Sequence, residues 1–252
     1  MPAIYPELAD RIVLVTGGAS GIGEALVRRF AAQKSVVAFV DIQAERGQAL
    51  AAELNGRGAR VHFKAVDITD TRAFQSAIGE FARTLGTVNV LVNNAAHDER
   101  HATDTVTPEY WDDRIAVNLK HQFFAAQAVL PGMKAAGAGS IINFGSTSWM
   151  IGQGGMAAYT AAKSAVLGLT RSLARDYGAF NIRVNAIAPG WIMTERQIAK
   201  WLTPASEAEL MARQCLKRRL QPDEIASFAL FLASDDASAC TNQHYIVDGG
   251  WV

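Results

Sequence analysis

The sequence predicts a single-domain, doubly wound α/β fold: a parallel sheet of about seven strands with helices on both faces. Three observations predict it. Short, continuously apolar runs recur along the chain, with the texture of strands buried on both sides. Segments with apolar residues at helical spacing lie between successive runs. A glycine-rich turn, Thr16-Gly17-Gly18-Ala19-Ser20-Gly21-Ile22-Gly23, joins the first run to the first helical segment. Parallel strands need crossover connections, and right-handed crossovers cover both faces of the sheet.

The elements follow in order. Ile12 to Val15 is the first strand, and Leu26, Val27 and Phe30 mark the helix after the turn. Val36 to Val40 is the second strand, ending on Asp41, with a helix through Ala44, Leu50 and Leu54. Arg60 to Val66 is the third, ending near Asp67; Asp70 then caps a helix carrying Phe74, Ile78, Phe81 and Leu85. Val88 to Val92, Ser140 to Phe144, Ile182 to Ile187 and Tyr245 to Val247 complete the sheet. A long helix runs to about Tyr177. No repeat or Pro/Gly/Ser-rich linker divides residues 1–252, so one domain is expected. The stretch from about Pro189 to Ser206 reads as irregular, and a loop that long in a compact domain reads as a lid.

Composition narrows the function. Half of the 252 residues are hydrophobic and 19% are charged, which supports a sizeable core and excludes a disordered chain. Lys plus Arg is 24 and Asp plus Glu is 24, so nothing steers the chain toward nucleic acid or an acidic membrane surface. Lys217-Arg218-Arg219 reads as a solvated surface. Cys215 and Cys240 make no disulfide framework and no CxxC, as expected in a reducing compartment. Met1 to Glu7 lacks the pattern of a signal peptide, and no apolar run reaches the roughly 18 residues of a membrane span. A cytoplasmic location is the expectation.

The glycine turn has the strand–turn–helix context of a dinucleotide-binding (Rossmann) site. Gly17 allows the tight turn, Gly21 the close approach of a pyrophosphate, and Gly23 the close packing of helix on strand. The helix N-terminus offers N–H groups to the phosphates. Asp41 ends the second strand, where a carboxylate accepts both adenosine ribose hydroxyls and repels a 2′-phosphate. Neither Gly18-Ala19-Ser20 nor Ile42 supplies a cation for that phosphate, so NAD is expected over NADP. Asp67 fits the adenine amino group, backed by Ile68, or stabilises its own turn.

Tyr159 and Lys163 are four apart on the long helix and share a face. An ammonium near a phenol favours the phenolate and lowers its pKa toward working pH, as a base that removes an alcohol proton requires. Ser146 directly follows the fifth strand, at the strand ends where ligands bind, and can hydrogen-bond a reacting oxygen. Asn118 is a polar residue in an apolar helix centre; it either satisfies a kinked helix or holds a water. No Gly-x-Ser-x-Gly elbow surrounds Ser146, which disfavours a serine hydrolase. His62, His97, His101, His121 and His244 show no metal-ligand spacing, so no metal is expected; His97 alone should face the pocket.

In order and spacing, the Thr16–Gly23 turn, Asn93-Asn94-Ala95, Asn118, Ser146, Tyr159-x-x-x-Lys163, Pro189-Gly190 and Asp248-Gly249-Gly250 resemble the short-chain dehydrogenase/reductase family. The resemblance spans nearly the whole chain. It implies Tyr159 as acid/base, Lys163 on the nicotinamide ribose and tuning Tyr159, Ser146 on the substrate oxygen, and Asn118 positioning a relay water. It also implies that NAD, held by Ser20, Ile22, Ile42 and Asn94 besides the residues above, takes a hydride from a carbinol carbon. Pro189 to Thr194, including Ile192, would close over the nicotinamide. Ala96 departs from the family's usual Gly and would crowd the cofactor-side turn. Family members are commonly tetramers, which implies a homo-oligomer with isologous interfaces.

His97, Asp98, Ser148, Trp149, Gln153 and Trp191 follow strand ends and should line the substrate pocket with Ser146 and Tyr159. That mixture of hydrogen-bonding groups and indoles suits a sugar. Arg100 keeps a hydroxy acid open. Segments such as His97-Asp98-Glu99-Arg100-His101, Tyr110-Trp111-Asp112 and Gln214-Cys215-Leu216-Lys217 resemble the bacterial aldose 1-dehydrogenase branch, acting on D-xylose, L-arabinose or galactose. Oxidation of an aldose to an aldonolactone is the expected reaction. The alternatives are oxidation or reduction at a polyol, hydroxy acid or acyl substrate, and a non-catalytic NAD-binding scaffold. The scaffold is disfavoured because no member of the Tyr-Lys-Ser-Asn set is missing. Met193, Trp201 and Leu202 on the lid read as packing more than contact, and Trp251 as packing on its own subunit or reaching a neighbour's pocket.

Overall fold

Strand residues here alternate between two cores. Val13 and Val15 point to one face of the sheet and Ile12 and Leu14 to the other, and all four are buried. That is why the runs are apolar throughout rather than alternating. The structure is a computed structural model describing residues 3–252. Met1 and Pro2, part of the N-terminal stretch considered above, lie outside the described residues.

The seven strands are β1 (Ile12–Thr16), β2 (Val36–Asp41), β3 (Arg60–Ala65), β4 (Val90–Asn93), β5 (Gly139–Phe144), β6 (Ile182–Pro189) and β7 (His244–Val247). They form one sheet in the order β3-β2-β1-β4-β5-β6-β7, every pair parallel. On one face α1 (Gly21–Ala32), α2 (Ala44–Gly56) and α9 (Pro222–Ala233) bury Leu26, Phe30, Leu50, Ile225 and Leu230. On the other, α3 (Thr71–Leu85), α5 (His121–Ala136) and α6 (Ala157–Tyr177) bury Phe74, Ile78, Ala125 and Leu173. The Asp70 side chain accepts from Ala73 N at the start of α3, as its position implies. No helix among the described residues is long and apolar enough to cross a membrane.

Most strands differ from the sequence reading by one or two residues at an end, and two differences bear on the site. β4 begins at Val90 rather than Val88, because Asn89 Oδ1 accepts the Ile12 N–H (2.8 Å) where a strand carbonyl would otherwise pair. The stretch from Pro189 to Ser206 is not irregular: it holds α7 (Glu195–Lys200) and the start of α8 (Pro204–Arg213). The Thr194 hydroxyl accepts from Gln197 N, and the Thr203 hydroxyl accepts from Ser206 N ahead of Pro204. A hydroxyl cap before a proline or polar first turn is a helix start, and it is written in the sequence.

The strand order reverses between β1 and β4, and a crevice opens there at the strand ends. One buried hydroxyl joins the two strands. Thr16 Oγ1 accepts from Asn94 N and Ala95 N, each at 3.0 Å, and Asn94 Nδ2 donates to the carbonyls of Thr16 and Gly17, each at 3.0 Å. Thr16→Val keeps the shape but leaves the Ala95 N–H buried without an acceptor. It should lower the unfolding free energy by about 1–3 kcal/mol, read from the midpoint of urea denaturation; an unchanged midpoint would show that the joint is dispensable.

Candidate active site

A cleft of about 1460 Å³ follows the C-terminal ends of the strands from Asp41 to Trp201. That volume exceeds the roughly 300–1,000 Å³ of a single small-ligand pocket and suits a dinucleotide with a substrate beside it. Of the residues expected to touch cofactor or substrate, all but Trp149 line it. Among the catalytic residues the exception is Asn118, which is fully buried behind the wall.

Three positions of the glycine turn favour glycine. Gly17 (φ +67°) and Gly21 (φ +58°) occupy the left-handed region, and a Cβ on Gly23 would lie 1.8 Å from the Gly17 carbonyl oxygen. Ser20, the residue before α1, makes no side-chain cap, so the first N–H groups of α1 remain available to a ligand at the cleft. Asp41 is 7% exposed and orders the rim: its carboxylate accepts from Ala19 N (3.0 Å) and Gln43 N (2.9 Å). Ile42 stands exposed beside it, and Ile68 is buried. One Asp67 oxygen accepts from the N–H and hydroxyl of Thr69 (2.8 and 2.7 Å), so Asp67 does stabilise its own turn while lining the cleft. This cradle fits a nicotinamide dinucleotide, whose ring supplies a hydride acceptor or donor when bound.

Tyr159 and Lys163 share a face of α6, and Ser146 follows β5. The Lys163 ammonium lies 5.7 Å from the Tyr159 ring centre but donates to the Phe144 carbonyl (2.8 Å). The expected lowering of the phenol is not what the geometry produces. Burial holds the Tyr159 pKa above its ordinary value, the Asp98 carboxylate adds to that, and a hydrogen bond with Ser146 works against it. Lys163 is 2% exposed, and burial pushes its pKa down to about 7. The Ser146 hydroxyl also accepts from Ser148 N (3.1 Å).

Asn118 is engaged by protein groups on both its side-chain amide atoms. It sits in a π-helical turn, Ala116–Lys120, between α4 (Pro108–Ile115) and α5. Its side chain accepts from His97 N (2.9 Å) and donates to the carbonyls of His97 (3.2 Å) and Arg114 (3.0 Å). The amide thus satisfies the distorted helix and pins the loop after β4. His97 faces the cleft, hydrogen-bonded to Arg114, and its pKa is lowered by burial and by Arg196 and Arg114.

Ser148, Gln153 and Trp191 line the cleft. Trp149 does not: its ring stacks on His244, with centroids 6.4 Å apart, and lies outside the cleft. Ala96 is exposed on the cleft wall. Met193 is buried as packing, whereas Trp201 and Trp251 both line the cleft. Pro189 accepts from Thr147 N (3.2 Å), Ile192 is buried, and Thr194 caps α7. Arg46, Arg196 and Gln197 also line the cleft and were not singled out from sequence. The Thr194-x-x-Gln197 start signal would have placed Arg196 and Gln197 on a helix.

The chain matches a family model described as Enoyl-(Acyl carrier protein) reductase over residues 17–252. It is 48% identical to D-xylose 1-dehydrogenase of Caulobacter vibrioides (strain NA1000 / CB15N), covering 99% of this chain and 98% of that one. It is 50% identical to a Rhizobium meliloti (strain 1021) protein described as "Probable galactose dehydrogenase GalD", covering 98% and 96%. A solved gluconate 5-dehydrogenase from Burkholderia cenocepacia J2315, in complex with NADP and tartrate, superposes with a TM-score of 0.90 at 33% identity, covering 96% and 95%. With the glycine cradle, the Ser146–Tyr159–Lys163 cluster and this near-complete similarity together, the chain belongs to the short-chain dehydrogenase/reductase family, an oxidoreductase working with a nicotinamide cofactor.

Proposed function

We propose that the protein is an NAD-dependent aldose dehydrogenase that oxidises a monosaccharide hydroxyl to give an aldonolactone. Near-full-length identity to two relatives named for sugar oxidation carries this reading. The substrate end of the cleft agrees with it. Ser148, Gln153, Trp191, Trp201 and Trp251 line it, a mixture of hydrogen-bonding side chains and indoles that suits a ligand rich in hydroxyls. Indole faces suit the C–H surfaces of a sugar ring.

Tyr159 takes the substrate hydroxyl proton as its phenolate, and Ser146 holds the same oxygen. Lys163, buried with a pKa near 7, is suited to accept and release a proton at working pH. Its bond to the Phe144 carbonyl keeps the ammonium within reach of Tyr159. Asn118 acts through the loop, by fixing His97. Gly17, Ser20, Gly21, Ile22 and Gly23 hold the pyrophosphate; Asp41 and Ile42 take the ribose, Asp67 and Ile68 the adenine. Asn94, Lys163, Pro189, Ile192 and Thr194 take the nicotinamide half. The Asp41 carboxylate favours NAD, since a 2′-phosphate would meet its charge. Arg46 lines the same end, and it is paired with Glu195 (2.9 Å), which offsets its attraction for such a phosphate. A cytoplasmic homotetramer is the assembly we infer, with Phe123 and Ile246 among the exposed apolar residues available to it.

Purified protein offered a panel of aldoses with NAD⁺ or NADP⁺ should produce NADH absorbance with at least one pentose or hexose, and more slowly with NADP⁺. Turnover of a β-keto ester with no aldose oxidised would overturn the sugar, and preference for NADP⁺ would overturn the cofactor. Tyr159→Phe should remove nearly all kcat while dinucleotide binding, followed by NADH fluorescence, persists. Because the raised phenol pKa keeps Tyr159 protonated at low pH, the wild-type oxidation rate should climb as pH rises and fall as pH drops. A flat profile with chemistry rate-limiting would be inconsistent with a tyrosinate base.

A further inference from the structure

Five consecutive residues after β4, His97 to His101, tie the loop to several walls of the cleft. The His97 backbone is held by Asn118. The Arg100 guanidinium lies 4.7 Å from the Trp201 ring centre. The His101 backbone donates to the Gly155 carbonyl (2.8 Å), and its Nε2 accepts from Ala158 N (3.4 Å) in the first turn of the Tyr159 helix. Between them, Asp98 and Glu99 carry two carboxylates to α7.

The Asp98 contacts are specific. Oδ1 accepts from Arg196 Nε (2.9 Å) and Oδ2 from Gln197 Nε2 (2.6 Å). Gln197 Oε1 in turn accepts the Trp191 indole N–H (2.8 Å). Glu99 Oε2 accepts from Arg196 Nη2 (3.3 Å) and lies 3.9 Å from Lys200 Nζ. Asp98 is 19% exposed and Arg196 34%, so the pair is partly desolvated and charge-assisted, unlike an open surface ion pair.

Beyond these contacts, helix α7 has one exposed tie to α2, the Arg46–Glu195 pair (2.9 Å), which open water weakens. It is six residues long and buries none of them, too short to be stable by helix formation alone. Its anchors lie on either side: Ile192 and Met193 before it, Leu210 of α8 after it, all buried. The segment between is a flap across the cleft, closed by the Asp98 contacts.

We propose that Asp98 is a positioning residue for the oxidation: it latches α7 over the cleft through Arg196 and Gln197 and, through Gln197, fixes Trp191 in the substrate wall. The proposal rests on the aldose reading only for the choice of substrate. Both carboxylate oxygens are already engaged by α7, so Asp98 acts on the sugar through the flap.

The latch also couples the flap to the charge felt by Tyr159. The Asp98 carboxylate holds the phenol up, and Arg196 partly offsets that charge. The other titratable and charged groups around the latch are His97, Glu99 and Arg100 on the same loop, Arg114 on α4, Lys163 on α6 and Lys200 on α7. Those charged side chains are the same in both variants, and His97 responds to each partner in the same sense as Tyr159, so the two partners have opposite signs. Removing the carboxylate should ease ionisation of Tyr159, and removing the guanidinium should hinder it.

Asp98→Asn and Arg196→Met test this in the full chain. Each should speed amide hydrogen exchange across residues 194–202 by about tenfold or more while exchange in β1 is unchanged, and the double variant should add little to either. With the aldose that the wild type oxidises best, each should raise KM by about tenfold, with kcat much less affected. The rising limb of the pH profile should move by a few tenths of a unit or more to lower pH in Asp98→Asn and to higher pH in Arg196→Met. Unchanged exchange in 194–202 would overturn the latch whatever the substrate is. Faster exchange with KM unaltered, or pH limbs that move in the same direction, would reduce Asp98 to a structural ion pair and overturn its role in the reaction. Failure of every aldose would fall on the substrate reading, while the exchange result would still decide the latch.

Discussion

The joint between β1 and β4 is the constraint on which the site depends. These strands meet where the sheet changes direction, and nothing in their apolar side chains would hold their polar ends in register. The Thr16 hydroxyl does so by accepting two N–H groups from the start of the β4 loop, and Asn94 returns two bonds to the turn after β1. The glycine cradle leaves one side of this joint and the His97–His101 loop leaves the other. Their separation therefore sets how a dinucleotide and a substrate can lie side by side.

From that joint the polar wiring spreads outward through buried side chains. Asn118, in a π turn, fixes the His97 backbone rather than facing the cleft. Asn93 donates to Asn143, and Asn143 donates to the Thr170 hydroxyl on α6, so β4, β5 and the Tyr159 helix are tied in series below the cleft. Each amide is buried and costly to leave unpaired, which makes the arrangement stiff. The flap, by contrast, is held by ion pairs at the cleft edge. Rigid floor and latched cover suit an enzyme that must admit a substrate and then exclude water.

The electrostatics of the floor differ from the simple picture of a lysine lowering a neighbouring phenol. Both groups are buried, and burial disfavours the charged form of each: it raises Tyr159 and lowers Lys163. The result brings the amine close to neutral pH and leaves the phenol dependent on nearby charge. Asp98 and Ser146 then act on Tyr159 in opposite directions. A carboxylate that belongs to the flap contacts is thus also part of the environment of the proposed base.

Much of this molecule was legible in its sequence because the signals are local. Apolar runs of strand length, Asp70 as a cap, glycines at positions 17, 21 and 23, and a Tyr–Lys pair on one helix face all depend on near neighbours along the chain. They determined the fold class and pointed to the glycine turn and the Tyr159–Lys163 pair as the candidate site. Helix α7 was missed although its Thr194 cap was visible, because polarity and a lack of apolar spacing read as loop. What only the tertiary structure decided lies between distant segments. Trp149 turned outward onto His244, Asn118 faced the β4 loop, and Asp98 met Arg196 almost a hundred residues away. Such pairings have no periodicity to betray them. They exist because the sheet order brings strand ends together, where a ring finds a face to stack on and a carboxylate finds a cation.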